Sequence, residues 1–326
     1  MNSSAARADD RIAAVIPCFR ERESILDVIG GIGGEVQRIY VVDDACPDAT
    51  GALVEERSDD KRVTVIRHSE NRGVGAATIS GMRAALADGA DVIVKLDGDG
   101  QMDPALISEI AGPVLRGEAD YAKGNRFHDP TSLGEMPLVR LLGNIVLSFV
   151  SKASSGYWNV FDPTNGFVAV HASVARRLPL DEISGRYFFE SDMLHRLYLL
   201  RAVVADVPMT ARYAGTGESK LSIGGSMVEF PLKHFRNGLR RLLLTYVLRD
   251  FNIASIELLL SLPLILSGTI FGLATWIPNA AAGVETPSGT VMLAALPIII
   301  GVQMLLAFLQ FDMSNVPAKP VQRPVS

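Results

Sequence analysis

The sequence predicts an α/β fold, with a mostly parallel sheet covered by helices on both faces, followed by a membrane-associated C-terminal third. Short apolar runs alternate with helical segments over the first two thirds of the chain. These runs are continuously apolar, which is typical of strands buried on both faces of a parallel sheet. The chain has 326 residues, of which 48% are hydrophobic. The apolar excess lies after residue 250, so we expect one large domain with an apolar extension.

The predicted strands are apolar runs that end at polar or turn-forming residues. In parallel sheets, ligands lie beyond the carboxyl ends of the strands. The polar residues after the first four strands are therefore expected at one edge. Strands are predicted over residues 12–17, 36–44, 63–68, 91–96, 121–126 and 203–213. Helices are predicted over residues 22–34, 76–88 and 188–200, with another after the second strand that Asp48 and Thr50 can cap.

The fourth strand ends in a pair of carboxylates, Asp97-Gly98-Asp99, followed by Gly100 and Gln101. Two carboxylates at i and i+2 can bind one hard cation, and Gly98 allows a tight turn and the close approach of a phosphate. Carboxylate and phosphate oxygens suit Mg²⁺ or Mn²⁺. The sequence therefore predicts a metal–diphosphate site, with an ordinary surface turn as the alternative. Lys95, inside the strand, is interpreted as structural rather than catalytic.

Acidic residues also follow the first two strands. Pro17-Cys-Phe-Arg-Glu21 follows the first, and Asp43-Asp44 follows the second. Carboxylates at these ends can accept hydrogen bonds from a base N–H and from ribose hydroxyls. Helix capping and turn formation are the alternative interpretation.

A helix predicted over residues 137–153 has two interpretations. Its apolar residues recur at helical spacing, so one face is apolar. That face packs on the core, or it contacts a membrane or a lipid acceptor. The residues concerned are Leu138, Leu141, Leu142, Ile145 and Phe149.

The last third is predicted to associate with a membrane. Residues 227–250 are amphipathic and basic, which suits an anionic lipid surface. Residues 253–277 and 290–311 are apolar runs long enough to span a bilayer, with buried globular helices as the alternative. Residues 278–289 contain no Lys or Arg, so the positive-inside rule places both ends of the hairpin in the cytoplasm. The predicted domains are residues 1–226, 227–252 and 253–326.

Composition limits the cellular context. The formal net charge of −5 argues against nucleic acid as a partner. Cys18 and Cys46 are too few for a disulfide framework and fit a reducing compartment. Residues 1–10 are polar and lack the apolar core of a signal peptide, so we expect the N-terminal part in the cytosol.

The ordered motifs together resemble glycosyltransferase family 2, whose fold is GT-A. More narrowly, they resemble dolichol-phosphate mannose synthases and bacterial GtrB-like polyprenyl-phosphate hexosyltransferases. The resemblance covers residues 11–225, and the C-terminal hairpin matches the bacterial members in architecture. The motifs are Val15-Ile-Pro-Cys-Phe-Arg-Glu21, Val42-Asp-Asp-Ala-Cys-Pro-Asp-Ala-Thr50, Asn71-Arg-Gly-Val-Gly-Ala76 and Asp97-Gly-Asp-Gly-Gln101.

The resemblance implies roles for individual residues. Phe19 stands where tyrosine is usual, and Arg20 stands where asparagine is usual, so Arg20 receives no role. The implied catalytic residues are Asp99, Asp162 and Arg126, and the implied metal ligands are Asp97 and Asp99. The implied nucleotide-binding residues are Pro17, Phe19, Glu21, Asp44, Asn71, Asp97 and Gln101. Arg126, Arg140, Arg212 and Lys220 are implied to face phosphates or the acceptor.

The function implied by this resemblance is an inverting, metal-dependent hexose transfer. The donor would be a nucleotide sugar, UDP-glucose or GDP-mannose, and the acceptor an undecaprenyl or dolichyl phosphate. The product would be a lipid-linked phosphosugar. A phosphate monoester has a second pKa near 6, so it is already ionised at neutral pH. Asp162 is therefore expected to orient the substrates more than to remove a proton.

The implied location is the bacterial cytoplasmic membrane, with the catalytic domain and both termini in the cytoplasm. Paired amphipathic helices would allow a homo-oligomer. One alternative is a membrane glycosyltransferase that acts on a lipid-linked or other sugar. A processive polysaccharide synthase is another, but neither Trp158 nor Trp276 lies in a Gln-x-x-Arg-Trp motif. The third is a non-catalytic nucleotide-binding scaffold, against which the carboxylates and basic residues argue.

Overall fold

The computed structural model, which describes residues 10–127, 138–209 and 223–322, contains a seven-stranded sheet. The strand order is β3-β2-β1-β4-β6-β5-β7. All neighbouring strands are parallel except β6, which is antiparallel to β4 and β5. The predicted α/β fold with a mostly parallel sheet is confirmed. The strands are β1 Ile12–Cys18, β2 Val36–Asp43, β3 Val63–Arg67, β4 Val92–Lys95, β5 Tyr121–Asn125, β6 Val168–His171 and β7 Val204–Pro208.

Helices cover both faces of the sheet, as the continuous apolar runs predict. Ile16 of β1 belongs to a core that includes Ile25 and Ile107 of the helices on one face. On the other face, a Cβ on Gly81 would lie 3.2 Å from Val42 Cγ2. The missing side chain at Gly81 therefore lets the helix lie close against the central strands.

The helices mostly follow the prediction, although their ends differ. The first is shorter at both ends than the predicted residues 22–34, and it ends at Gly30 with Gly31 as its C-cap. Two 3₁₀ turns, Pro104–Leu106 and Leu180–Glu182, and a π-helical segment, Leu243–Arg249, complete the described elements. The α-helices are α1 Ile25–Gly30, α2 Thr50–Arg57, α3 Val74–Ala87, α4 Ile107–Leu115, α5 Leu138–Ser155, α6 Ala172–Ala175, α7 Phe189–Leu199, α8 Ile223–Leu242, α9 Ile253–Ala281 and α10 Ser288–Ser314.

The N-terminus of α2 is not capped as predicted. Ala49 is the N-cap residue, and neither Asp48 nor Thr50 provides a side-chain cap. Instead, Asp43 at the end of β2 accepts the N–H of Cys46 at 2.7 Å and that of Gly51 at 2.8 Å. A buried carboxylate from the preceding strand thus binds one orphan N–H group of the first helical turn, that of Gly51, which a local cap could otherwise satisfy.

The chain divides into two compact units. The first comprises Met1–Gly238 with Pro317–Ser326, and the second comprises Leu239–Val316. In the second unit, α9 and α10 are long and apolar enough to cross a membrane. Gly268 and Gly301 allow these two helices to approach closely, as small residues do between membrane helices.

Within the first unit, α8 uses one face for packing. His234 Nδ1 lies 2.7 Å from Ser154 Oγ of α5. The centroid of the His234 ring lies 4.8 Å from the centroid of the Phe188 ring. Leu232 and Phe235 of the same helix are exposed. This segment is therefore amphipathic, as predicted from the sequence.

Candidate active site

The loop after β4 carries the two predicted metal ligands at the carboxyl edge of the sheet. Asp97 is partly exposed, and one of its oxygens, Oδ1, lies 2.7 Å from Lys95 Nζ. Asp99 Oδ1 accepts the backbone N–H of Gln101 at 3.0 Å. Gly100 has a φ of +77°, a left-handed conformation that favours glycine, so the loop turns sharply after the second carboxylate.

The loop after β1 lies against this turn. Ser24 Oγ donates to the carbonyl oxygen of Gly98 at 2.6 Å. A Cβ on Gly98 would lie 3.4 Å from Glu21 Cβ, so Glu21 packs directly against the carboxylate loop. Pro17 is buried at the end of β1, and Phe19 is partly exposed beyond it. The structure therefore brings the predicted nucleoside-binding residues of β1 and the predicted metal ligands of β4 together.

Asp44 organises the loop that leads into α3. Its Oδ1 lies 2.6 Å from His68 Nδ1 and accepts the N–H of Arg72, and its Oδ2 accepts the N–H of Gly73 at 2.7 Å. Asn71, which is exposed, donates to the Asp44 carbonyl oxygen at 3.3 Å. The contacts of the Asp44 carboxylate thus hold the loop, and the roles of Asp44 and Asn71 toward a nucleoside stay predictions.

Two buried lysines lie under the site, and the sequence interpretation gave neither a functional role. Lys95 of β4 and Lys123 of β5 both pair with Val168 of β6, so they point to the same face of the sheet. Lys95 Nζ also lies 3.6 Å from Glu190 Oε1 in the first turn of α7. Lys123 Nζ donates to the Asn165 carbonyl oxygen. A lysine in an otherwise apolar strand is the sequence signal that identifies Lys95, whereas the strand of Lys123 also contains Gly124 and Asn125 and gives no such signal.

The two lysines differ in their electrostatics. Burial alone would lower the pKa of Lys95, but the neighbouring carboxylates of Asp97 and Glu190 raise it, so this group is a stable ammonium. Burial lowers the pKa of Lys123 to about 8, and the charges of Asp162 and Glu190 only partly oppose that effect. Below the loops, the sheet therefore places Lys95, which keeps its proton and its positive charge, and Lys123, which loses its proton more readily.

Arg126 and Asp162 form a bidentate ion pair. Arg126 Nε lies 2.7 Å from Asp162 Oδ2, and Nη2 lies 3.0 Å from Oδ1. Asp162 is fully buried. Burial would raise the pKa of Asp162, but the hydrogen bonds and charge of Arg126, with the charge of Lys123, lower it. A carboxylate that is held at both oxygens and has a lowered pKa is poorly suited to accept a proton.

Gly166 lies in the loop that follows Asp162 and packs against the loop after β4 that carries Asp97 and Asp99. A Cβ on Gly166 would lie 3.0 Å from Asp97 Oδ2 and would overlap Lys95 Nζ. The backbone at Gly166 therefore lies against both groups, and the loop that carries Asp162 borders the loop of the predicted metal ligands.

An apolar surface begins directly beside Asp162. Its chain neighbour Phe161 is 59% exposed, and Lys152 Nζ of α5 lies 4.5 Å from the Phe161 ring centroid. Ile145 and Phe149 of α5 are also exposed. Of the two interpretations of the helix predicted over residues 137–153, these exposures favour contact with a membrane or lipid acceptor.

Three predicted basic residues cannot be placed. Arg140 belongs to α5, but its side chain is not among the described groups. Arg212 and Lys220 lie entirely outside the described residues. Their roles toward phosphates stay predictions.

The two carboxylates fit a divalent cation that arrives with a phosphate ligand. Over residues 10–127, 138–209 and 223–322, no group of three or more His, Cys, Asp or Glu side chains forms a complete metal site. Mg²⁺ is commonly held by one or two carboxylates together with substrate phosphates and water. Asp97 and Asp99 match that donor set.

Known proteins are similar to this chain over most of its length. The family model described as Glycosyl transferase family 2 matches residues 13–179. An undecaprenyl-phosphate mannosyltransferase from Micrococcus luteus is 32% identical, over 70% of this chain and 94% of the relative. A UDP-N-acetylglucosamine–dolichyl-phosphate N-acetylglucosaminyltransferase from Methanococcus voltae is 30% identical, over 63% of this chain and 87% of the relative.

A solved structure shares the fold. Glucosyl-3-phosphoglycerate synthase from Mycobacterium tuberculosis, crystallised with Mg²⁺ and uridine diphosphate, superposes with a TM-score of 0.51 at 19% identity. The match covers 73% of this chain and 81% of that one. The predicted GT-A fold is confirmed by this similarity.

Proposed function

The chain belongs to glycosyl transferase family 2, and we propose that it transfers a hexose from a nucleotide sugar to the phosphate of a polyprenyl lipid. The observation that carries this proposal is the position of Asp162. It is buried and paired with Arg126, while the adjacent Phe161 is exposed, as are Ile145 and Phe149 of α5. A site with charge on one side and apolar surface on the other suits a phosphate attached to a hydrocarbon chain. The names of the two relatives, which include undecaprenyl phosphate and dolichyl phosphate, support it.

The donor half of the site would be formed at the ends of β1 and β4. Glu21 and Phe19 would face the nucleoside, and Asp97 and Asp99 would hold Mg²⁺ or Mn²⁺. When bound, that cation would offset the negative charge on the leaving diphosphate. Lys95 adds a fixed positive charge behind Asp97, in a position that does not depend on substrate.

The acceptor half of the reaction needs orientation more than proton removal. A phosphate monoester with a second pKa near 6 is mostly a dianion at neutral pH. Its oxygen would attack the anomeric carbon from the side opposite the diphosphate, so the carbon–oxygen bond to the nucleotide breaks with inversion. No proton has to leave the nucleophile. Asp162 would fix the guanidinium of Arg126, and that guanidinium would orient the attacking phosphate.

The apolar elements would place this chemistry at a membrane surface. A lipid phosphate lies at the level of the headgroups, so the site must lie close to that plane. We infer that α9 and α10 span the membrane and that α8 lies at its surface. The absence of Lys and Arg from residues 278–289 supports a cytoplasmic orientation of the first unit and both termini. The bacterial cytoplasmic membrane is the location that this proposal implies.

The test is a panel of radiolabelled nucleotide sugars offered to the full chain in nanodiscs that contain undecaprenyl phosphate. UDP-glucose and GDP-mannose are the first donors, and UDP-N-acetylglucosamine is included because one relative carries that sugar in its name. We expect a lipid product that mild acid cleaves, as a sugar phosphodiester is cleaved. An acid-stable lipid product would favour a sugar hydroxyl acceptor. The same chain with Asp99→Asn is the matched control and should give no product.

A further inference from the structure

The carboxylate of Asp97 is shared between the cation site and a buried ammonium group. Lys95 Nζ lies 2.7 Å from Asp97 Oδ1, and the Lys95 side chain is 3% exposed whereas that of Asp97 is 31% exposed. Glu190 Oε1 lies 3.6 Å away on the other side. An ammonium group out of contact with water requires paired carboxylates. Lys95 is therefore fixed against Asp97 and is not a mobile surface lysine.

Gly166 lies beside the same ammonium group on a third side. A side chain at this position would overlap Lys95 Nζ and approach Asp97 Oδ2. The missing side chain at Gly166 therefore leaves the space that Lys95 Nζ occupies beside Asp97. The contact between Lys95 and Asp97 is therefore fixed by the packing of the loop after β4 against the loop that contains Gly166.

This arrangement limits what the protein alone offers to a cation. Asp97 Oδ1 faces Lys95, and Asp99 Oδ1 accepts the N–H of Gln101. Within the part of the chain that the structure describes, no third His, Cys, Asp or Glu completes a metal site with them. The adjacent positive charge of Lys95 also opposes a second, divalent positive charge.

We propose that Lys95 is a positioning residue that makes cation binding depend on the nucleotide. It holds Asp97 in place and reduces the negative charge of the carboxylate pair, so the divalent cation binds together with the diphosphate and not before it. The diphosphate supplies both the missing oxygen ligands and the missing negative charge. This inference rests on the proposed function, because it requires a nucleotide diphosphate as the second ligand.

The experiment measures Mn²⁺ binding to the full chain in nanodiscs by electron paramagnetic resonance of the free ion, alone, with UDP and with GDP, and the diphosphate that binds is used for every variant. For the wild type we expect weak binding of Mn²⁺ alone and at least about tenfold tighter binding with the diphosphate that binds. Lys95→Met removes a positive charge next to the ligand, so Mn²⁺ alone should bind about tenfold tighter or more. The enhancement of Mn²⁺ binding by the diphosphate should shrink correspondingly. No acceptor lipid and no turnover enter this measurement.

Lys123→Met is the matched control, because it removes a second buried ammonium from the same face of the sheet without touching Asp97. Its effect on Mn²⁺ binding alone should stay within about threefold. Lys95→Gln is the second variant if Lys95→Met fails to fold. An unchanged Mn²⁺ affinity in a folded Lys95 variant would overturn the proposal, and so would an equal tightening in Lys123→Met. If the wild type binds neither UDP nor GDP with Mn²⁺, the proposed function fails and this inference fails with it.

Discussion

Asp162 is the residue at which the chemistry of the acceptor can be tested. Its carboxylate is held at both oxygens by Arg126, and its pKa is lowered. We predict that Asp162→Asn lowers the rate of transfer by about tenfold to a hundredfold, as for loss of an orienting contact. Activity should still rise with pH through about 6, where the acceptor phosphate ionises. The measurement is the pH profile of kcat for both proteins between pH 5 and pH 8.5.

The two roles of Asp162 give different profiles. An orienting residue leaves the acidic limb in place at a reduced rate. If Asp162 were a general base, Asp162→Asn would abolish turnover at pH 8 while substrate binding persists. That result would contradict the prediction. Arg126→Lys is the matched variant, because it keeps the charge but loses the two-point contact.

Lys123 is predicted to lower stability at neutral pH. Its pKa is lowered to about 8 from 10.5, so the folded state binds this proton less tightly than the unfolded state does. The resulting loss of folding stability is largest below pH 8, declines between pH 8 and 10.5, and is absent above that range. Lys123→Met should therefore raise the free energy of unfolding by about 1–3 kcal/mol at pH 7. The thermal unfolding midpoint at pH 7 and pH 10 is the measurement, and the gap should narrow at the higher pH.

Substitution of Lys95 is expected to change stability in the opposite direction. Its pKa is raised by Asp97 and Glu190 despite its burial. Lys95→Met should therefore lower the unfolding midpoint at pH 7, whereas Lys123→Met raises it. Destabilisation by both substitutions would show that buried contacts, and not charge, determine the result.

At the scale of elements, the strands were predictable because burial on both faces requires continuously apolar runs. The ends of β1 and β4, and the gathering of Glu21, Asp97 and Asp99 at one edge, follow from parallel strand order alone. β6 is not among the predicted strands, because it is short and antiparallel in a sheet whose other pairs are parallel. Side-chain roles that depend on distant partners were not predictable.

Two such roles show the limit. Asp43 satisfies the N-terminus of α2, although Asp48 and Thr50 are nearer in sequence. Arg126 and Asp162 pair with each other across a separation of 36 residues, whereas the sequence indicated only separate roles. Local spacing gives the residue types at a site, and tertiary contacts decide which of them neutralise one another.

His234 makes the packing of α8 sensitive to acid. It lies between Ser154 and Phe188, and burial lowers its pKa to about 4. The unfolded state takes up a proton near pH 6.5 and the folded state only near pH 4. Stability from the neutral form is therefore present above pH 6.5 and is lost as pH falls from 6.5 to 4, by about 3 kcal/mol at most.

We predict that His234→Gln reduces this acid sensitivity. Glutamine does not titrate and can still hydrogen-bond Ser154 Oγ. The wild type should lose more of its thermal unfolding midpoint than the variant between pH 7 and pH 5. Other acidic groups titrate equally in both proteins, so their effect cancels. Equal losses would mean that His234 does not control the packing of α8.

At the scale of the whole molecule, the chain leaves the first unit after Gly238 and rejoins it at Pro317. The returning segment is held by Asp120, which is fully buried between α4 and β5. Its carboxylate accepts the N–H groups of Val321 at 2.9 Å and Gln322 at 2.7 Å, in addition to that of Val203. The first unit is thus completed by residues that follow the apolar hairpin in sequence.

Removal of residues 317–326 is predicted to destabilise the first unit. It leaves the buried Asp120 carboxylate without two of its donors, and each unsatisfied buried polar group costs about 1–3 kcal/mol. Asp120→Asn in the full chain should lower the unfolding midpoint by a similar amount. Combining the two changes should cost less than their sum, because both remove the same hydrogen bonds. Removal of residues 323–326 alone keeps Val321 and Gln322 and is the control. Strictly additive effects of the two changes would show that the segment and Asp120 act independently.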